Sequence, residues 1–137
     1  MPVAKVRVRD IAWVAVGGMV GTLARVAIAS SIPVGVGSWP WSTLVVNTAG
    51  SLLLALLLGL LVHACGPELA RALRLGLGVG LLGSFTTYSA FVAEAYQISA
   101  DLGPVWAFGY LALSSTLGLA AAMCGFAIGS SHRQGSQ

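Results

Sequence analysis

Gly83-Ser84-Phe85-Thr86-Thr87-Tyr88-Ser89-Ala90-Phe91 interrupts a hydrophobic stretch long enough to cross a bilayer. Lipid-facing helices carry Leu and Val at such a depth, whereas this segment carries hydroxyls and aromatic rings. A bilayer core holds no water to satisfy polar groups, so a Gly-Ser-Thr interruption there must be buried in protein or line a pathway. The segment reads as the working part of a pore, set in a third membrane-spanning helix that breaks at mid-membrane.

The rest of the chain supports a membrane setting. Of 137 residues, 57% are hydrophobic and 8% charged; soluble domains have about 25% charged residues. Mean hydropathy is +0.89. At about 20 apolar residues per crossing, four spans stand out, at about 11–31, 43–63, 75–99 and 105–130, forming a single all-α integral membrane domain over residues 1–137. The connections are short: a Pro/Gly/Trp loop from Pro33 to Pro40, a partly charged loop from Cys65 to Arg74, and a turn from Asp101 to Pro104. Loops of this length leave no room for an enzymatic domain. Neither a nucleophile with a nearby base nor a phosphate loop is apparent. His63 and His132 lack partners at metal-ligand spacing, and Cys65 and Cys124 fall at different depths with no support for pairing.

An even number of spans places both termini and the second loop on one side of the membrane. That side holds Lys5, Arg7, Arg9, Arg71, Arg74 and Arg133; the opposite loops hold only Asp101. The positive-inside rule therefore predicts both termini in the cytoplasm. The pI of 9.3 follows from this bias and calls for no nucleic-acid partner. Arg25 lies well inside the first apolar run, which argues for a retained helix over a cleaved signal peptide. Trp13, Trp39, Trp41 and Trp106 fall near span ends, as interfacial anchors do.

Polar residues within the spans recur at helical spacing. Thr43, Asn47 and Ser51 share one face of the second span. Hydroxyls there often only join helices, but an amide with two donors at mid-membrane asks for more. In the third span Phe85, Tyr88 and Phe91 are spaced by three, with Thr86, Thr87 and Ser89 beside them, and the run Gly76, Gly78, Gly80, Gly83 invites a break whose freed carbonyls can hold a cation. Tyr110 and Ser114 extend the polar track on the fourth span. Arg25 and Glu94 must face the bundle, a partner helix or the interface; snorkelling and a role in the vestibule or in assembly both stay open. Gly17/Gly21, Gly76/Gly80 and Gly125/Gly129 fit the small-xxx-small pattern of close helix approach.

Gly17-Gly18 with Gly21 and Arg25, Thr43 through Ser51 with its Asn-x-x-Gly-Ser, and Gly83 through Phe91 followed by Glu94 together resemble the Fluc/CrcB fluoride ion channels. The resemblance covers all four spans in order. It implies a subunit that pairs antiparallel with a second one, two narrow fluoride pathways, and a structural sodium ion at the dimer centre. Carried over, Asn47 donates to fluoride, and Tyr88 and Phe91 take the places of the family's pore phenylalanines. Thr43, Ser89, Tyr110 and Ser114 form the polar track, and Gly83 and Thr86 offer backbone carbonyls to sodium. The family usually has Gly where Ser84 stands, Phe where Tyr88 stands, Thr where Ala90 stands and Ser where Val92 stands. A homodimer or a heterodimer fits the resemblance. The one-sided Lys/Arg distribution favours a heterodimer with an oppositely oriented homologue, in which one pathway can lose donors and so accommodate Ala90 and Val92. The rival reading, a small multidrug exporter coupled to protons, wants an acid inside the first span, where only Asp10 stands, at its edge.

Overall fold

The computed structural model describes residues 6–32, 39–61 and 66–131. Lys5, Pro33, His63, Cys65, His132 and Arg133, each read above, lie outside them. The described chain is helical and contains no strand. Its helices are α1 (Val8–Ser31), α2 (Trp41–Leu61), α3 (Pro67–Leu73), a π-helical stretch (Arg74–Leu82), the single turn α4 (Gly83–Phe85), α5 (Tyr88–Asp101) and α6 (Pro104–Ser131). From Pro67 to Asp101 these segments make one span, so among the described residues four helices are long and apolar enough to cross a bilayer.

The charged segment expected as a loop is instead the start of the third span. Pro67 sits at the first helical position, where its missing N–H costs nothing, and Glu68 lies in the first turn, where the helix dipole favours an acid. Hydropathy misses this segment because its charges are engaged at the helix ends. Glu68 accepts from Arg7 at 2.8 Å and Arg9 at 2.6 Å, and Asp10 pairs with Arg71 at 2.5 Å. Asp10 also accepts the Arg7 backbone N–H at 3.0 Å, capping α1. These bonds clasp the start of α1 to α3.

Inside the membrane the helices approach through glycine. A Cβ on Gly17 would fall onto the Gly76 carbonyl oxygen, one on Gly21 onto that of Leu81, and one on Gly80 would lie 2.7 Å from the Val14 oxygen. Gly125 and Gly129 present the same bare surface to Leu52 and Leu56 of α2. Such contacts suit a medium in which burying Leu gains nothing over lipid and packing must come from backbone proximity. In the π-helical stretch of the third span Gly76 and Gly80 are thus spent on α1 and Gly78 on Leu54 and Leu57 of α2, and the break falls at Thr86 (φ −74°, ψ 158°) and Thr87 (φ −144°, ψ 123°). After α5, Gly103 (φ 99°) turns the chain into Pro104.

Trp13, Trp41 and Trp106 are about half exposed, at 46%, 54% and 57%. Trp39 differs: it folds inward, edge-on to Tyr110 at 5.8 Å and to Trp106 at 6.5 Å, with its indole N–H buried and without a partner among the described residues.

Candidate functional site

The break in the third span is held open by one side chain from α2. The Asn47 Nδ2 donates to the Thr87 carbonyl at 2.9 Å, and the Thr87 N–H donates back to Asn47 Oδ1 at 2.8 Å. This two-bond ring replaces a backbone pairing. In a continuous helix the Thr87 N–H would go to Gly83, so the Gly83 carbonyl loses its helical partner. Thr87 then caps α5: its Oγ1 accepts from the Ala90 N–H at 3.2 Å. Ala90 is the residue that would have paired with Thr86, so the Thr86 carbonyl loses its partner as well. Two carbonyls freed in this way match the donor type that unwound membrane helices offer to Na⁺.

The neighbouring groups fix the break from both sides. Thr86 turns its own hydroxyl back to Leu82 O at 3.1 Å, and its methyl sits where Gly50 leaves room; a Cβ at Gly50 would strike it. Arg25 reaches from α1 to donate to Ser84 O at 3.2 Å, taking up a third freed carbonyl. The Ser84 hydroxyl lies against Gly18, whose added Cβ would come within 3.3 Å of it.

Asn47 lies between two grooves. One, of about 270 Å³, is lined by Gly50, Ser51, Thr86, Thr87 and Tyr88; the other, of about 400 Å³, by Ser114, Ser115, Gly118 and Leu119; Asn47, Ser51 and Phe91 border both. Tyr88 is 79% exposed and its ring stands 6.2 Å from that of Phe91, which is 5.4 Å from Tyr110. Ser89 is exposed, with its Oγ 3.3 Å from Thr87 Oγ1. Ser114 is buried.

Glu94 is bound into the bundle. Thr43 donates to its Oε1 at 2.6 Å and Tyr110, fully buried, to its Oε2 at 2.8 Å. Short bonds to a carboxylate are about twice as strong as neutral ones, which offsets part of the cost of an acid at this depth. Thr43, Glu94 and Tyr110 therefore form one cluster, and Asn47, Ser114 and Phe91 a second; the Phe91–Tyr110 ring contact joins them. Sequence reading did not assign Thr87 a role. Its signal was present: a Thr just ahead of a helical run is an N-cap pattern.

The comparisons with known proteins agree with this architecture. The family model described as "CrcB-like protein, Camphor Resistance (CrcB)" matches residues 12–126. A protein of Cutibacterium acnes named fluoride-specific ion channel FluC 1 is 47% identical over 104 residues, covering 74% of this chain and 72% of its own. A FluC 1 of Symbiobacterium thermophilum is 40% identical over 85% of this chain and 96% of its own. A FluC of Desulfotalea psychrophila is 41% identical over 88% and 92%. With the family model matching residues 12–126 and these relatives 40–47% identical over 74–88% of its length, this chain belongs to the CrcB-like family.

Proposed function

We propose that the chain is a subunit of a fluoride-selective channel, not an enzyme, that lets fluoride leave the cytoplasm passively. The observation that carries this reading is the placement of Asn47. One of its two N–H groups holds Thr87, and the amide lies on the border of both grooves, where the second N–H can meet an anion.

Fluoride gives up its water only where fixed donors replace it, and it leaves again only if none holds it too firmly. Asn47 is rigid because Thr87 fixes both its heavy atoms, so no reorganisation is needed when the ion arrives. Ser114 and Ser51 offer hydroxyls along the same wall. Phe91 borders both grooves, and an aromatic edge carries partial positive charge that favours an anion in a dry constriction. Tyr88 and Ser89 stand at the exposed side, while the Thr43 and Tyr110 hydroxyls, both donated to Glu94, position that carboxylate beside the track and are not donors to the ion.

The Gly83 and Thr86 carbonyls would hold the sodium ion, which supplies a fixed positive charge near the centre of the assembly. Gly83 is exposed and Thr86 half-buried, which fits an ion shared with a second subunit packed antiparallel. The grooves around Phe91 are open in the single chain, and a partner there would close them into pathways. The Lys/Arg bias of the N-terminal segment and the second connection favours a heterodimer and supports an orientation with both termini in the cytoplasm. The multidrug-exporter reading loses its premise: the only acid of α1, Asp10, is bound to Arg71.

The test is fluoride efflux from liposomes containing the chain, alone and with its genomic homologue, followed with a fluoride electrode against chloride. Selective fluoride efflux is expected. Efflux no faster than from empty liposomes in every combination would overturn the proposal.

A further inference from the structure

The clasp between α1 and α3 leaves positive charge in excess beside an apolar cleft. Among the described residues this end carries Arg7, Arg9, Arg71 and Arg74 against Asp10 and Glu68. Glu68 serves both Arg7 and Arg9, and Asp10 serves Arg71; Arg74 is exposed and makes no ion pair among the described residues. Arg71 and Arg74 are three positions apart, share a face, and line a groove of about 490 Å³ with Pro67, Ala70 and Leu75. Arg71 and Leu75 also line a second groove, of about 360 Å³, against Val6, Ile11, Val14 and Ala15 of the α1 region.

The two grooves differ in depth. Asp10 and Arg71 lie at the charged end of the helices, where the spans meet the headgroups. From Asp10 to Ala15 the wall runs about 7.5 Å along α1 toward the membrane interior, and beyond the ion pair its lining is aliphatic. A basic mouth opening onto an apolar cleft of this orientation complements one kind of molecule already surrounding the protein. Basic pockets between membrane helices on the cytoplasmic side take anionic lipid headgroups, and each added cation near such a surface contributes about five-fold in binding.

We infer that the α1/α3 cleft is a binding site for an anionic diacyl phospholipid, its phosphate at Arg74 and Arg71 and one acyl chain along Val14, Ala15 and Leu75. The site lies apart from the Asn47 grooves and does not depend on what ion the protein conducts. An occupied site would also hold this end of the chain to the leaflet richest in anionic lipid, adding to the orientation set by its Lys and Arg residues.

Native mass spectrometry of the full chain, in the assembly it forms in detergent, tests this with phosphatidylglycerol and phosphatidylcholine of matched acyl chains. Preferential retention of phosphatidylglycerol is expected, falling about five-fold in Arg74→Gln. Arg74 is exposed and outside the clasp, so its replacement leaves the fold intact, and circular dichroism checks this. Ala15→Trp, which fills the apolar part, should lower retention of phosphatidylglycerol with Arg74 in place. Equal retention of the two lipids, or a preference untouched by Arg74→Gln, would overturn the inference. So would competition by glycerol phosphate as effective as that by the intact lipid, which would mean an anion site alone. A disulfide formed between two copies through Ala15→Cys would place a second chain in the cleft and end the proposal.

Discussion

At Asn47 one amide does two things, and a single substitution separates them. Asn47→Asp keeps the acceptor for the Thr87 N–H but loses the donor to the Thr87 carbonyl, and it puts a negative charge where an anion is to pass. Fluoride efflux should fall more than ten-fold in the liposome assay, and stability by about 1–3 kcal/mol, the usual cost of a stranded buried group. Tyr110→Phe isolates the other cluster. The ring keeps its contacts with Trp39 and Phe91 while Glu94 loses its 2.8 Å donor. The expected loss is about 1.5–3 kcal/mol, as for a hydrogen bond to a charged group, read from the thermal midpoint in detergent, with slower fluoride efflux. If Glu94 holds its place through Thr43 alone, the midpoint will not move, and the cluster is then less coupled than its bond lengths imply.

Between elements, contact is set by the absence of side chains, which makes glycine the sensitive position. Gly21→Ala should destabilise the bundle by about 1–3 kcal/mol or more, since its Cβ meets the backbone of Leu81 and not a side chain that can swing away. Gly109→Ala on α6 meets nothing within 4 Å and should leave the thermal midpoint unchanged. Equal shifts in the two variants would mean that helix propensity, not packing, governs both. The same residues show what sequence reveals and what it hides. The four spans were readable because about 20 apolar residues in a row have few other uses, and the glycine pairs were visible as close-approach patterns. The interrupted segment from Gly83 to Phe91 was readable too, but not what holds it open. A glycine run looks like the weak point of a helix, yet here Gly76 and Gly80 are surface for α1 and Gly78 for α2, and the break sits where Thr87 can cap and Asn47 can reach. That ring joins residues 40 apart in the chain, and Thr43 meets Glu94 across 51. No local pattern announces either pairing. The helix α3 was hidden for a related reason, since its charges look like a loop until Arg7, Arg9 and Asp10 arrive from α1 to meet them.

For the whole molecule the open question is direction. One end carries the clasp's Arg7, Arg9 and Arg71 and, beside it, Arg74, while the turn at the other end, 101–103, has only Asp101 as a charge. A chain that inserts both ways needs nearly balanced ends, because loop Lys and Arg decide which end stays in the cytoplasm. This one is unbalanced, so it should insert with a single orientation and depend on a second, oppositely inserted chain to complete an antiparallel pair. A single cysteine at Asp101→Cys, with Cys65 and Cys124 replaced by Ser, checks this in intact cells with a membrane-impermeant thiol reagent. Complete labelling from outside is expected. Rebalancing the ends should change the outcome: Arg9→Gln with Arg74→Gln and Leu102→Lys removes two cations from one side and adds one to the other, so a fraction of chains should become shielded from the reagent. The single chain should then gain fluoride efflux without its homologue, because both orientations now come from one sequence. If the unaltered chain is already labelled to only about half, the positive end does not direct insertion, and a homodimer becomes the simpler assembly.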